Sequence, residues 1–156
     1  MHSQQDSEDL SDAIAFVDDG PAEVKLVAEG RPGLARWKIL VVDDDDEVHT
    51  VTRFVLGRAE ILDRPLELIE ARSLRQAQNM LLSHADIAVI LLDVVMEEHD
   101  SGLKFARWVR EAGLMDVRII LRTGQAGYAP VLDVIRDYDI NDYRAKSELT
   151  HTRLIT

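Results

Sequence analysis

Five polar residues in this sequence each stand at the end of a strand-like run. Asp43 and Asp44 follow Ile39–Val42, Asp93 follows Ile87–Leu92, Thr123 comes just after Val117–Leu121, and Lys146 closes Ile140–Ala145. If the runs are parallel strands of one sheet, these side chains converge on one rim. Three carboxylates drawn that close repel one another and raise one another's pKa unless a cation sits among them. A hard divalent ion resolves the conflict, and an all-oxygen donor set with room for water suits Mg²⁺. In such a site the Asp93 carboxylate becomes a usable nucleophile toward phosphorus. Lys146 and Thr123 would then neutralise and hydrogen-bond the transferred group.

Positioning those residues requires strands and helices in alternation, and the chain supplies the pattern. Ile39–Val42 is a short β-branched run, and a helical pattern starts at Asp46 with Val48, Val51, Phe54 and Val55 on one face. Leu66–Ala71 is a second, more polar strand, after which Ser73 is placed to cap a helix carrying Leu74, Ala77 and Leu81. Ile87–Leu92 is continuously apolar; Phe105, Trp108, Val109 and Ala112 then recur at helical spacing and stop at Gly113. Val117–Leu121 is a fourth strand. Pro130 suits a first helical turn, with Val131, Val134, Ile135 and Tyr138 as the buried stripe. Ile140–Ala145 is a fifth strand, and a last helix begins at Glu148.

Five strand–helix pairs predict an α/β fold, a doubly wound five-stranded parallel sheet. The first, third and fourth strands are almost wholly apolar, as centrally buried strands are, while the second and fifth are mixed, as edges are. That distribution fits the order 2-1-3-4-5, with ligands beyond the carboxyl ends where the winding reverses.

Composition narrows the function classes. The 156 residues carry 18 basic and 29 acidic side chains, a net of −11, which offers no general attraction to nucleic-acid phosphates or anionic lipid. Residues 1–30 hold eight of the acidic groups against Lys25 alone, so most of the excess negative charge lies in that stretch. Residues 1–35 are therefore expected to form an acidic, mobile segment and residues 36–156 a single domain. The absence of cysteine excludes a disulfide framework, a zinc–thiolate site and a thiol nucleophile. No run is long enough to span a bilayer and no signal peptide opens the chain, so a cytoplasmic location is expected.

The stretches Ile39-Leu-Val-Val-Asp-Asp44, Val89-Ile-Leu-Leu-Asp93, Thr123-Gly124 and Tyr143-Arg-Ala-Lys146 resemble the receiver domain of bacterial two-component response regulators, over roughly residues 37–156. The resemblance implies a flavodoxin-like sheet and an aspartate that takes a phosphoryl group from a sensor histidine kinase or phosphotransfer protein, with Mg²⁺ required. Carried over, Asp93 is the acceptor, and Asp43, Asp44 and the Val95 carbonyl join it as metal ligands. Thr123 and Lys146 contact the phosphoryl group, and Tyr143 is the aromatic switch that turns inward as Thr123 moves. The output would be a changed surface on the fourth helix, fifth strand and fifth helix, through which such receivers also form homodimers. The wording Asp93-Val-Val-Met-Glu97, Leu121-Arg-Thr-Gly-Gln125 and Tyr138-Asp-Ile-Asn-Asp-Tyr143 looks like a bacterial subgroup whose receivers precede further signalling domains. The last helix has only about eight residues where ten or more are usual, which implies a chain cut before an output domain.

Two positions depart from that family. Ser147 stands after Lys146 where a proline is usual, and Met96-Glu97-Glu98-His99 replaces a proline-containing loop, adding negative charge near the pocket. Two other functions compete. Asp44-Asp-Asp-Glu-Val48 superficially fits the nucleophile motif of a haloacid-dehalogenase-type phosphatase, with Asp44 as nucleophile, although Asp139 and Asp142 are a poor late acidic pair. An interaction module with a vestigial pocket is the other. Asp45, Asp46 and Glu47 are expected as helix cap and first-turn charges. His2, His49, His84, His99 and His151 show no ligand spacing and are expected at the surface, and Trp37 and Trp108 are expected to pack.

Overall fold

The structure, a computed structural model, describes residues 35–124, 132–137 and 139–146. The acidic segment up to residue 34, Pro130, Val131, Tyr138, Ser147 and the helix expected from Glu148 lie outside the described residues.

In chain order the elements are β1 (Trp37–Val42), α1 (Asp46–Leu56), β2 (Glu60–Ile61), β3 (Arg64–Ala71), α2 (Leu74–Ser83), β4 (Ile87–Asp93), α3 (Ser101–Glu111), β5 (Arg118–Thr123), α4 (Leu132–Asp137) and β6 (Asp142–Ala145). The starts of α1 and α2 follow the capping chemistry expected of them. The Asp45 carboxylate accepts from the Glu47 amide at 2.9 Å, and Ser73 Oγ accepts from the Gln76 amide at 3.2 Å. Beyond α3, Gly113 adopts φ 81°, a left-handed conformation that costs other residues more.

The sheet has six strands in the order β2-β3-β1-β4-β5-β6 rather than the five expected. Parallel pairing joins β1 to both β3 and β4, β4 to β5, and β5 to β6, so the five anticipated strands keep their anticipated sequence. The addition is β2, which runs antiparallel to β3 at the outer edge. Its turn, Leu62-Asp63, has positive φ at both residues, 52° and 58°, as a two-residue hairpin demands. Leucine is a poor signal for that conformation, and a two-residue strand leaves no alternation to detect. Tertiary contacts hold the hairpin: Trp37 Nε1 donates to the Ile61 carbonyl at 2.9 Å, and the Arg64 guanidinium stacks on the Trp37 ring at 3.7 Å.

Two apolar clusters flank the sheet. One packs Leu40, Val42, Ile90, Leu92, Ile119 and Leu121 against Ala77 and Leu81 of α2 and Phe105, Ala106 and Val109 of α3. Phe105 stacks on Trp108 with centroids 5.6 Å apart. The other packs Ile39, Val41 and Leu91 against Leu56 of α1, with Ala59 and Leu66. Each fully buried aliphatic side chain contributes about 1.5–3 kcal/mol.

Helix α1 presents a different side to the sheet than its apolar residues suggest. His49, Thr52 and Leu56 are buried, whereas Phe54 is 89% exposed and Val51 40%. His49 also overturns the expectation of surface histidines. Its Nε2 lies 2.8 Å from the Asp43 carbonyl oxygen, which can only accept, and its Nδ1 is 3.9 Å from a Glu70 carboxylate oxygen. Among the described residues, no helix is long and apolar enough to cross a membrane.

Candidate functional site

Strand parity decides which side chains meet. Ile39 and Val41 of β1, Leu91 of β4 and Ile120 of β5 belong to the α1-side cluster, so two residues further along the next positions on that face are Asp43, Asp93 and Arg122. The register agrees: Val42 pairs with Leu92, Leu92 with Leu121 and Asp93 with Arg122. Asp43 and Asp93 are buried while Asp44 is exposed, and each offers a carboxylate oxygen within 4.8 Å of the others.

Lys146, the residue after β6, reaches into this group. Its Nζ donates to Asp43 Oδ1 at 3.2 Å and to Asp93 Oδ2 at 3.0 Å, and lies 3.0 Å from Asp43 Oδ2. The stem of Lys146 passes Gly124, where an added Cβ would stand 3.6 Å from Lys146 Cδ. Asp93 Oδ1 accepts from the Val95 amide at 3.3 Å, which sets residue 95 of the loop after β4 against the carboxylate. Asp43 Oδ1 accepts from the Asp45 amide at 3.0 Å. Thr123 is buried at the end of β5. Tyr143 is half-buried against the α2/α3-side cluster and pairs with Leu121. Because Thr123 pairs with Ala145, Tyr143 and Thr123 lie on the same face in neighbouring rows.

Electrostatics follow from this enclosure. Burial pushes the Asp93 carboxyl above its ordinary value and the Asp43 charge adds to the rise, against an opposing hydrogen bond from Lys146. For Lys146, burial pulls downward, but hydrogen bonds and charges from Asp43 and Asp93 outweigh it and leave the ammonium above its usual value. Burial pushes the Arg122 guanidinium down, against the pull of Asp43 and Asp93.

Residues 39–155 match the response regulator receiver domain family. The chain belongs to that family. Over 121 residues this receiver is 46% identical to a 3'3'-cGAMP-specific phosphodiesterase 2 of Vibrio cholerae serotype O1, a match covering 77% of this chain and 23% of that protein. The chain thus spans under a quarter of that curated relative's length. The signal receiver domain of an HD domain-containing protein from Pseudomonas fluorescens Pf-5 superposes with TM-score 0.63 at 21% identity, covering 77% of this chain and 89% of the other. A BeF3-activated DrrB receiver domain superposes with TM-score 0.60 at 22% identity, covering 78% and 92%. At those identities the solved structures show the shared fold.

Receiver domains bind Mg²⁺ through acidic residues, and the donors present here suit that ion. The three carboxylates are hard oxygen ligands, and buried Asp43 Oδ2 has no hydrogen-bond partner among the described residues although Lys146 Nζ lies beside it.

The acidic loop behaves differently from its sequence. Glu97 Oε1 accepts from the Leu74 amide at the start of α2, and Glu98 pairs with Lys104 of α3 at 2.5 Å. Both carboxylates are therefore engaged by the neighbouring helices. Asp139 and Asp142 lie at the opposite rim of the sheet: Asp142 opens β6, and Asp139 is 3.8 Å from Arg110 at the end of α3. A haloacid-dehalogenase-type site would need late acidic residues beside Asp44, and neither is there.

Three residues of this receiver site escaped sequence reasoning. Arg122 is fully enclosed; its one signal was a charged residue inside an apolar strand. His49 grips the Asp43 carbonyl from α1. Gly102 lets α3 start directly beneath the loop after β4: its amide donates to the Val94 carbonyl at 3.0 Å, and a Cβ there would fall 2.1 Å from the Asp93 carbonyl oxygen.

Proposed function

We propose that this receiver accepts a phosphoryl group on Asp93 from the phosphohistidine of a sensor kinase or phosphotransfer protein. The observation that carries the proposal is Lys146 Nζ within 3.2 Å of both Asp43 and Asp93, with the Asp44 carboxylate in the same cluster. An Asp93 oxygen forms the new O–P bond as the N–P bond breaks, and the imidazole nitrogen keeps the leaving electron pair. Lys146, already on Asp93, follows the transferred group and neutralises part of its charge. Thr123, at the adjoining strand end, hydrogen-bonds it through its hydroxyl. A divalent cation held by Asp43, Asp44, Asp93 and the Val95 carbonyl, Mg²⁺ by the donor chemistry, supplies charge neutralisation that lets an anionic carboxylate approach an anionic phosphoryl group.

Once Thr123 is drawn toward the phosphoryl group, Tyr143 has room to turn toward it, since the two share a face of the sheet. That movement alters the surface around α4 and β6, which we assign as the switch face and as the surface of a phosphorylation-dependent homodimer. The similarity to a phosphodiesterase of which the match covers 23% supports a regulatory module acting on an output elsewhere in a polypeptide. Neither nucleic acid nor membrane is proposed as a direct partner, and residues 36–156 are taken as the folding unit.

Intact mass of the chain with and without acetyl phosphate and Mg²⁺ tests the proposal. One added phosphoryl group that maps to Asp93, depends on Mg²⁺ and disappears in Asp93→Asn is expected. Equal incorporation into the Asn variant overturns it, as does mapping of the group to Asp44.

A further inference from the structure

Arg122 has no part in the phosphoryl chemistry above, yet it is the largest fully buried side chain among the described residues. It occupies the α1 face one strand over from Asp93, with which it pairs in register. Its Nη1 donates to Thr52 Oγ1 at 3.2 Å, while the Thr52 hydroxyl donates to the Val48 carbonyl at 2.7 Å. The hydroxyl's orientation is thereby fixed and the guanidinium is tethered to α1. Nη2 then stands 3.8 Å from Asp43 Oδ2, and neither atom has a hydrogen-bond partner among the described residues.

That separation is informative. It is too long for a direct hydrogen bond. What remains is direct Coulomb attraction in a place where salt screens little. The other cation of the site, Lys146, is on a flexible stem and 20% exposed, so it can leave Asp43 for a phosphoryl oxygen. Arg122, 0% exposed and tied to Thr52, cannot follow. Three carboxylates facing two cations retain one net negative charge, a weak lure for a divalent ion.

We propose that Arg122 is a positioning residue, a fixed internal counter-charge to Asp43 that lowers the divalent-cation affinity of the Asp43–Asp44–Asp93 cluster. The site then loads firmly only when a phosphoryl donor brings further negative charge. This inference rests on the cation-dependent phosphoacceptor assignment made above.

Titration of the 156-residue chain with MgCl2 by calorimetry, at constant ionic strength and without phosphoryl donor, tests it. Arg122→Met, close in volume but uncharged, is expected to bind Mg²⁺ about tenfold more tightly. Arg122→Lys keeps the charge and is expected to stay within about threefold of the parent. Thr52→Val frees the guanidinium to close on Asp43 Oδ2, and is expected to weaken binding by about threefold. Folding of each variant is verified by its cooperative urea transition. A folded Arg122→Met variant with unchanged or weaker affinity overturns the proposal. If Arg122→Met does not fold, Thr52→Val decides, and unchanged or tighter binding overturns the proposal. A parent chain that binds no Mg²⁺ defeats the cation-dependent assignment itself, a result separable from the others.

Discussion

The two faces of the sheet differ most in their last rungs. On the side covered by α2 and α3 no buried charge interrupts the packing: Val42, Leu92 and Val94 are fully buried beside Phe105 and Ala106, and β5 ends there on the uncharged Thr123. On the side covered by α1 the packing is apolar only as far as Val41, Leu91 and Ile120, and then gives way to Asp43, Asp93 and Arg122, met by His49 and Thr52. One face holds the strands in register, and the other spends burial on charge. Enclosed charges are costly unless paired, so the polar rung can exist only because the opposite face fixes the strand ends that bear it.

Substitutions on the two faces should therefore act in opposite senses. The largest effect is expected from the apolar side: Phe105→Ala removes a stacked, buried ring and should cost about 3–5 kcal/mol in urea denaturation. A loss below about 1 kcal/mol would show that the α3 face is not the stabilising one. Next comes the seam between the faces, where Gly102→Ala drives a methyl group into the Asp93 and Val94 backbone. It should destabilise by about 1–3 kcal/mol and also slow the proposed phosphorylation, since relief requires moving the end of β4 that bears Asp93.

The polar rung predicts a change of the other sign. Because burial and the Asp43 charge raise the Asp93 pKa, the folded chain holds that proton more tightly than the unfolded chain does. The associated stability is complete below the unfolded value of 3.8 and is lost as pH rises through the elevated folded value. At neutral pH without divalent cation, Asp93→Asn should thus be more stable than the parent by about 1 kcal/mol, with the gain shrinking in acid. Equal melting of the two proteins across pH would remove the electrostatic strain assigned to this face. The smallest effect belongs to Phe54, on the outward side of α1: Phe54→Ser should change stability by less than about 0.5 kcal/mol. A larger loss would show that its ring is buried against another part of the protein.

Much of this was legible in the residues. Asp43, Asp44, Asp93, Thr123 and Lys146 could be aligned on one rim because each stands at the end of an expected strand, and a parallel α/β order makes such ends coincide. The caps at Asp45 and Ser73 and the stop at Gly113 were equally readable, because capping is decided within a few residues. The hairpin strand β2 was not, since its turn uses Leu62 where glycine or asparagine would have marked it, and Trp37, distant in sequence, stabilises it. Nor was the buried side of α1, where periodicity favoured Val51 and Phe54 over His49 and Thr52.

The sequence by itself determined the alternation of elements, the order of the parallel strands and the positions of the acidic and basic groups at their ends. These follow from local periodicity and from the right-handed crossovers that a parallel sheet imposes. Only the tertiary structure decided what each polar group faces. It turned Glu97 and Glu98 toward α2 and α3, brought His49 under Asp43, and closed Arg122 between α1 and the acidic cluster. Such partnerships join residues as far apart as Thr52 and Arg122, and the free energy that selects them depends on burial and distance, which no local pattern encodes.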